Sequence, residues 1–305
     1  MAARGFVVLN YVQFQSEMSQ PAMTPSIFSV DVEDWFHILD VAAAPPLEAW
    51  HTLETRVEKN FRRLLDLFEQ HHTHATCFFL GWVGERFPHL VREAVRGGHE
   101  IASHGYAHKL VYQMTREEFQ TDAARARQLL EDIAGCRVAG YRSAGFSVTE
   151  NTMWFFDALV EAGYQYDASV FPASRSHGGL PGASREPHHI VPGLMEFPMT
   201  VTGLFGQPLC FFGGGYLRIF PYALIRRMAR RVMAEGRPVI YYIHPREIDP
   251  AHPRLPMSAA RRFRSYVNLP STEGKLHRIL DEFPAMSFRD FLAARAGMLE
   301  EAHAD

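Results

Sequence analysis

The chain alternates short apolar runs with longer stretches of helical spacing. Ile27-Phe-Ser-Val30 is a compact apolar run. Leu53 to His71 then places Leu53, Val57, Phe61, Leu64, Leu65 and Phe68 on one helical face. Ala75–Leu80 reads as a strand followed by a turn at Gly81. Pro88–Arg96 reads as a helix stopped by Gly97-Gly98, and His99–Ala102 as a short strand. Thr115–Ile133 predicts a helix opened by a capping box, with Thr115 at the cap and Glu118 three residues on. Arg137–Tyr141, Tyr164–Ala168, Leu194–Phe197 and Val239–Ile243 read as strands, with helices over Glu150–Ala162, Tyr222–Ala234 and Thr272–Glu282.

This βαβα rhythm predicts an α/β fold, a mainly parallel sheet with helices outside. A count of about seven strands favours a distorted (β/α) barrel over an open doubly wound sheet. Residues 172–220 break the rhythm: they are rich in Gly, Pro and His, hold Gly213-Gly-Gly-Tyr216, and predict a long insertion folding over one end of the barrel. Neither a repeat nor a linker divides the rest, so a single domain is expected over 26–305, preceded by an extension at 1–25. The apolar patch Phe6-Val-Val-Leu9 in that extension is too short for a signal sequence or a membrane span. Folding, and translation, are expected to begin near Met23.

Chemistry gathers where the predicted strands end. Asp31, His104, Arg142, Asp167 and His244 each stand at the C-terminal end of a strand, the rim on which barrel active sites are built. A catalytic divalent metal takes about three protein ligands and an open position. His104 and His108 supply two nitrogens across the turn after a strand, since Gly105 disfavours helix between them. A lone histidine would be unremarkable, but this pair is matched by the acidic strand end Asp31-Val-Glu-Asp34. Asp31 and Glu33 share a face of an extended segment, so one can bind metal while the other takes a proton. His244 follows five apolar residues and precedes Pro245, which places an imidazole at the barrel mouth as a candidate general acid. Arg142 can orient the catalytic carboxylate and lower its pKa.

Composition narrows the classes. The net charge of −3, with both signs well mixed, gives no footprint for nucleic acid or an anionic membrane. Cys77, Cys136 and Cys210 are far apart and form no Cys-x-x-Cys, which argues against a disulfide framework or a structural zinc site. Cys77 reads as a buried small hydrophobe.

Together these residues resemble the polysaccharide deacetylase family, the NodB-homology group of carbohydrate esterase family 4. The resemblance runs over about residues 27–245 in the order acidic strand end, His-x-x-x-His, Arg motif, late strand with terminal His. It is closest to the branch associated with exosortase and extracellular-polysaccharide gene clusters. The residues that carry it are Phe28-Ser-Val-Asp-Val-Glu-Asp-Trp-Phe-His37, Glu100-Ile-Ala-Ser-His-Gly-Tyr106, Gly213-Gly-Gly-Tyr216 and His244-Pro-Arg-Glu-Ile-Asp249. A further C-terminal region, about 246–295, contains Arg262-Phe-Arg-Ser-Tyr-Val-Asn268.

The resemblance implies metal-dependent removal of N-acetyl groups from an amino-sugar polysaccharide or its lipid-linked precursor. Asp31 is then the general base, His244 the general acid, and Arg142 the holder of the base. His104 and His108 bind the metal, usually zinc, with Glu33 favoured over Asp34 as third ligand. A backbone N–H near Phe146 helps hold the oxyanion, and His37 takes a supporting place. Trp35, Phe146 and Tyr216 are candidates to stack on sugar rings or simply to pack in the core. Two departures are visible: Asp31-Val-Glu-Asp replaces the family's paired Asp-Asp, and Arg142-Ser-Ala-Gly-Phe146 lacks the usual Pro. The implied setting is exopolysaccharide biosynthesis in the cytoplasm, at the inner face of the inner membrane, with peripheral association to the synthesis machinery. The competing readings are a ring amidohydrolase of the allantoinase-like kind and a non-catalytic glycan-binding module.

Overall fold

The computed structural model describes residues 24–175, 178–204 and 206–302. The expected N-terminal extension, with Met23, lies outside these residues except for its last two positions. The sheet is built on β1 (Ser26–Val32), whose seven residues are all buried. A strand covered on both faces belongs in the middle of a parallel sheet, which is why its apolar run hardly alternates.

Around it lie β2 (Thr76–Phe79), β3 (Glu100–Ser103), β4 (Gly140–Tyr141), β5 (Tyr166–Asp167), β6 (His188–Val191), β7 (Leu194–Glu196) and, late in the chain, β10 (Ile240–Ile243). Their order is β10-β1-β2-β3-β4-β5-β7-β6. Every neighbouring pair is parallel except β6 on β7. Seven parallel strands therefore curl toward closure, as a distorted (β/α) barrel requires. No ladder joins β7 to β10 among the described residues. Thr200 bridges that gap instead: its Oγ accepts from Ile240 N at 2.9 Å and donates to Pro238 O. Gly213 pairs with Tyr242 farther along.

The two-residue strands β4 and β5 are shorter than their sequence runs. Only Gly140 and Tyr141 of the Arg137–Tyr141 run pair with a neighbour, and the Tyr166 ring lies where a Cβ on Gly140 would sit, 2.0 Å away. The predicted capping box of the Arg116–Ala134 helix forms as written. Glu118 N donates to Thr115 Oγ, and Thr115 N donates to the Glu118 carboxylate at 2.8 Å. The helix begins later than the run from Leu53 implies: it spans Val57–Gln70, after a short 3-10 turn at Leu47–Thr52. The 172–220 stretch carries elements of its own. β6 lengthens the sheet edge, β8 (Thr202–Leu204) and β9 (Gln207–Leu209) form a hairpin, and Gly214–Ile219 is a short helix.

One end of the barrel is plugged by the C-terminal segment. β11 (Ala285–Met286) pairs with the start of β1. Phe288, opening the Phe288–Ala302 helix, packs on Tyr166, Phe197 and Phe78 with ring centroids 5.3, 4.9 and 5.8 Å away. Phe288 N donates to Thr76 Oγ, and Thr76 Oγ donates to buried Glu100 at 2.5 Å. This apolar seal lies at the N-terminal end of the strands and leaves polar chemistry to the opposite rim.

Candidate active site

Asp31 stands one residue before the end of β1, and Arg142 follows β4 directly. Arg142 is fully buried. Its Nη1 donates to Asp31 Oδ1 at 2.7 Å and to Ser29 Oγ at 2.8 Å, while its Nε donates to Ala168 O at 3.3 Å. The guanidinium also lies 4.1 Å from the Phe78 ring centroid. One Asp31 oxygen is thereby fixed, and the other, Oδ2, faces His244 Nε2 at 3.8 Å.

Glu33 turns off the end of β1, its N–H donating back to Asp31 O at 2.9 Å. Its Oε1 lies 3.1 Å from His104 Nε2 and 2.9 Å from His108 Nε2. The two imidazoles meet across a loop, ring centroids 5.1 Å apart. Gly105 makes that turn possible at φ 72°, and His108 itself adopts φ 54°. Gly81 N and Trp82 N pin the loop by donating to Gly105 O and Tyr106 O. His104 Nδ1 donates to Arg142 O at 2.7 Å, which leaves the Nε2 lone pair facing Glu33. His108 Nε2 is buried without a hydrogen-bond partner.

Three donor atoms thus face one another within 4.8 Å, two nitrogens and a carboxylate oxygen. Ligand atoms of a tetrahedral site with bonds of about 2.0–2.1 Å sit about 3.3 Å apart. The donor set and its spacing fit a divalent cation, and a cation there removes the conflict of lone pairs. Burial works against charge on Glu33, but His108 and His244 beside it hold its carboxyl well below the usual range.

His244 follows β10 and is tethered from behind. Its Nδ1 lies 3.2 Å from Glu247 Oε2, and its backbone N–H donates to the same oxygen. Glu247 in turn pairs with Arg218. Burial opposes charge on both partners. On His244 it is outweighed by Glu33 and Glu247, so the imidazole titrates above its ordinary value. On Glu247 it is outweighed by Arg218 and His244, which bring the carboxyl to about 2. Neither Glu247 nor Arg218 was singled out from the sequence. Glu247 has a local signal, since His244-Pro-Arg-Glu is a capping pattern with Pro at the first helical position. Arg218 has none, because its partner is 29 residues away.

Several expected site residues lie elsewhere. Asp34 does not face the histidines. Its Oδ1 accepts from Trp35 N at 2.8 Å, and its Oδ2 from Arg56 N and Val57 N, so it caps two helical starts. Trp35 is no open stacking platform: it is buried with Phe36 and Trp50, and its indole N–H donates to Glu54 O. The Phe146 N–H donates to Ser143 O at 3.1 Å and is not free for an oxyanion. Gly145 and Phe146 are both left-handed, at φ 62° and 54°, and the Phe146 ring is wedged against Tyr242. Tyr216 is partly exposed but stacks on Phe220 rather than joining the cluster. Asp167 turns away to Ser169 Oγ, which donates to it at 2.5 Å. Burial pushes its carboxyl up to about 6, against the hydrogen bonds it shares with Glu196 and Ser169. His37 packs beside the site, its ring centroid 6.2 Å from His108, while its Nδ1 accepts from Asp34 N.

Residues 44–166 match the family described as polysaccharide deacetylase, and residues 168–293 match a domain of unknown function, DUF3473. Among curated proteins, the chain is 30% identical over 113 residues to a peptidoglycan deacetylase of Helicobacter pylori, a match spanning 37% of this chain and 38% of that protein. It is 29% identical over 91 residues to a peptidoglycan-N-acetylglucosamine deacetylase of Bacillus cereus, spanning 30% of this chain and 33% of the relative. The chain thus spans well under half the length of either. Among solved structures, a protein of Mycobacterium smegmatis titled as a polysaccharide deacetylase superposes with a TM-score of 0.61 at 20% identity, covering 92% of this chain and 94% of that one. An allantoinase superposes with a TM-score of 0.56 at 18% identity over 90% and 93%. At such identities the superpositions speak for the fold alone. By the sequence matches, residues 44–166 are similar to the polysaccharide deacetylases.

Proposed function

We propose that this chain is a metal-dependent hydrolase that releases acetate from the N-acetyl groups of an amino-sugar glycan. The observation that carries the reading is the separation of duties at the strand ends. Glu33, His104 and His108 turn three donor atoms toward one point, while Asp31 and His244 are held beside them by partners of their own. The sequence relatives named for deacetylation of peptidoglycan favour a glycan acetamide over the ring amides of an allantoinase.

A divalent cation bound by Glu33, His104 and His108, zinc by its N,N,O donor set, would supply Lewis acidity toward the acetamide and toward water. Asp31, oriented by Arg142, takes a proton from the attacking water. His244, protonated and aimed by Glu247, gives a proton to the departing amine. The water hydroxyl completes acetic acid, which leaves as acetate, and the proton taken by Asp31 passes back to His244, 3.8 Å away, so that both groups are restored. Residues 26–305 act as one unit on this reading, with catalysis over about 27–245. A place in exopolysaccharide synthesis, with a lipid-linked precursor as substrate, is the narrower form of the proposal and rests on the motif resemblance. No described helix is long and apolar enough to cross a membrane.

The test is acetate release from N-acetylglucosamine oligomers by the purified chain. Chelation abolishes turnover, zinc restores it, and His104→Ala neither retains metal nor turns over. Full activity in the chelated protein would refute the metal-dependent reading.

Glu247→Gln tests the tether. Protonated His244 is the active form, so activity falls as pH rises through its pKa. Glu247 raises that pKa, and removing its charge moves the alkaline limb of kcat/KM to lower pH, with the acidic limb in place. A pH–rate profile reads this directly. An unmoved alkaline limb means that His244 does not set it.

A further inference from the structure

Four arginines stand around this site, on a chain whose net charge is −3, so their gathering is local and not a by-product of basic composition. Arg246 lies two residues beyond His244 and acts electrostatically on both His244 and His37. The Arg175 guanidinium lies 4.5 Å from the Phe171 ring centroid and 5.1 Å from that of Phe146. The Phe146 ring packs 5.1 Å from Tyr242, whose ring is 5.9 Å from that of His244. Arg261 and Arg264 come from the Ala259–Tyr266 helix, which buries none of its residues.

That helix is fastened to the site at two points. Arg261 Nη2 donates to Leu39 O at 2.6 Å, on the segment that follows β1. Arg218, the partner of Glu247, donates from Nη2 to Arg264 O at 2.8 Å and to Ser265 O at 3.1 Å. The chain of contacts from His244 through Glu247 and Arg218 therefore ends on the arginine-bearing helix. The rim is held in place and not merely adjacent.

Arginines so close repel one another. Burial, then the charges on Arg246 and Arg264, weaken the hold of Arg261 on its proton, with Asp40 acting the other way. Three of their N–H atoms, Arg175 Nη1, Arg246 Nε and Arg261 Nε, are shielded from solvent and have no hydrogen-bond partner. Buried donors left open are uncommon, and guanidinium donors match carboxylate and phosphate oxygens in number and geometry.

We propose that Arg175, Arg246, Arg261 and Arg264 form an anion subsite beside the reaction centre, which takes a carboxylate or phosphate carried by the glycan, so that the substrate is an acidic amino-sugar chain. The glycan part of this statement rests on the proposed deacetylation, while the charge preference rests on the arginines alone.

Equilibrium titration separates the two. The full chain bearing Asp31→Asn, whose turnover is slowed at least about 10²-fold, is titrated with neutral N-acetylglucosamine tetramer. The matched probe is a tetramer whose alternate sugars bear a lactyl carboxylate. A second pair is N-acetylglucosamine and its 1-phosphate. The acidic member of at least one pair binds about tenfold or more tightly at low salt, and the preference shrinks at high salt. The pair that shows it names the source, carboxylate or phosphate.

Arg175→Ala combined with Arg261→Ala removes the preference while the neutral tetramer binds as before. Arg264→Glu, at an exposed position, weakens the preference without endangering the fold. Equal affinity within both pairs, no binding of either acidic probe at millimolar concentration, or a preference that survives the arginine substitutions overturns the subsite. Charge-dependent binding in these titrations, with no acetate released by the wild-type chain from any probe, would sink the deacetylase reading and leave the subsite standing.

Discussion

Asp31→Asn lowers kcat for acetate release by about 10²- to 10⁴-fold, the usual worth of a positioned general base, with KM and bound metal close to wild type. Asparagine keeps the shape of aspartate and can still accept from Arg142 Nη1 through its carbonyl oxygen. It cannot take a proton at pH 7. The substitution therefore removes the proton acceptor and leaves Glu33, His104 and His108 as they are.

The measurement is a pair: steady-state kinetics beside metal content after dialysis. The pairing matters because Asp31, Glu33 and His244 also gather closely enough to suggest a second way of holding a cation. If the variant loses its metal together with its activity, Asp31 is a ligand and the base lies elsewhere. If it retains metal and turns over at the wild-type rate, Asp31 takes no part in the chemistry. The expected split follows from the contacts: Asp31 is bonded to Arg142, and Glu33 to the two histidines.

Elements with long periodicity were legible in the chain. The helices Tyr222–Ala234 and Thr272–Glu282 occur with the bounds their spacing predicts, because each has several turns of pattern and a clear stop. Two-residue strands carry no period, so β11 and its place under the barrel could not be seen, nor could β4 and β5 be trimmed to length. The Ala259–Tyr266 helix escaped for a different reason: it is only eight residues long, four of them arginine or serine, and it buries none of them.

The same contrast holds at the site. Residues at strand ends were found because parallel topology sends them to one rim. Asp167 shows the limit of that rule, since standing at a strand end does not choose which way a side chain turns. Asp34 shows another. Asp34-Trp-Phe-His37 is a capping pattern, with Asp as N-cap and His three residues on, and that local demand took both oxygens of a carboxylate that composition alone would offer to a metal. Glu247 and Arg218 support a functional residue from behind, and such partners are set by tertiary contacts across the fold.

Arg142→Met destabilises the folded chain by about 3–5 kcal/mol, the range found when one partner of a buried ion pair is removed. Arg142 is fully buried and Asp31 is 2% exposed, so the methionine leaves a buried carboxylate stripped of its hydrogen-bonded counter-charge, with only His244 facing it at 3.8 Å. The loss comes from that stranded charge more than from packing, because methionine fills much of the space of the arginine stem. A second substitution separates the causes. Asp31→Leu placed on Arg142→Met removes the stranded carboxylate, and most of the lost stability returns in the double variant, as a strongly non-additive cycle in urea denaturation. If the two single changes add, the ion pair is not what holds this rim together. A metal-loaded sample narrows the deficit of Arg142→Met, since the bound cation offers Asp31 a partial substitute for the lost charge. The backbone of residue 142 keeps its own task throughout, because its carbonyl still accepts from His104 Nδ1. Loss of stability and loss of the metal centre should therefore come apart: Arg142→Met weakens the fold and disorients Asp31 while the imidazole of His104 stays aimed at Glu33.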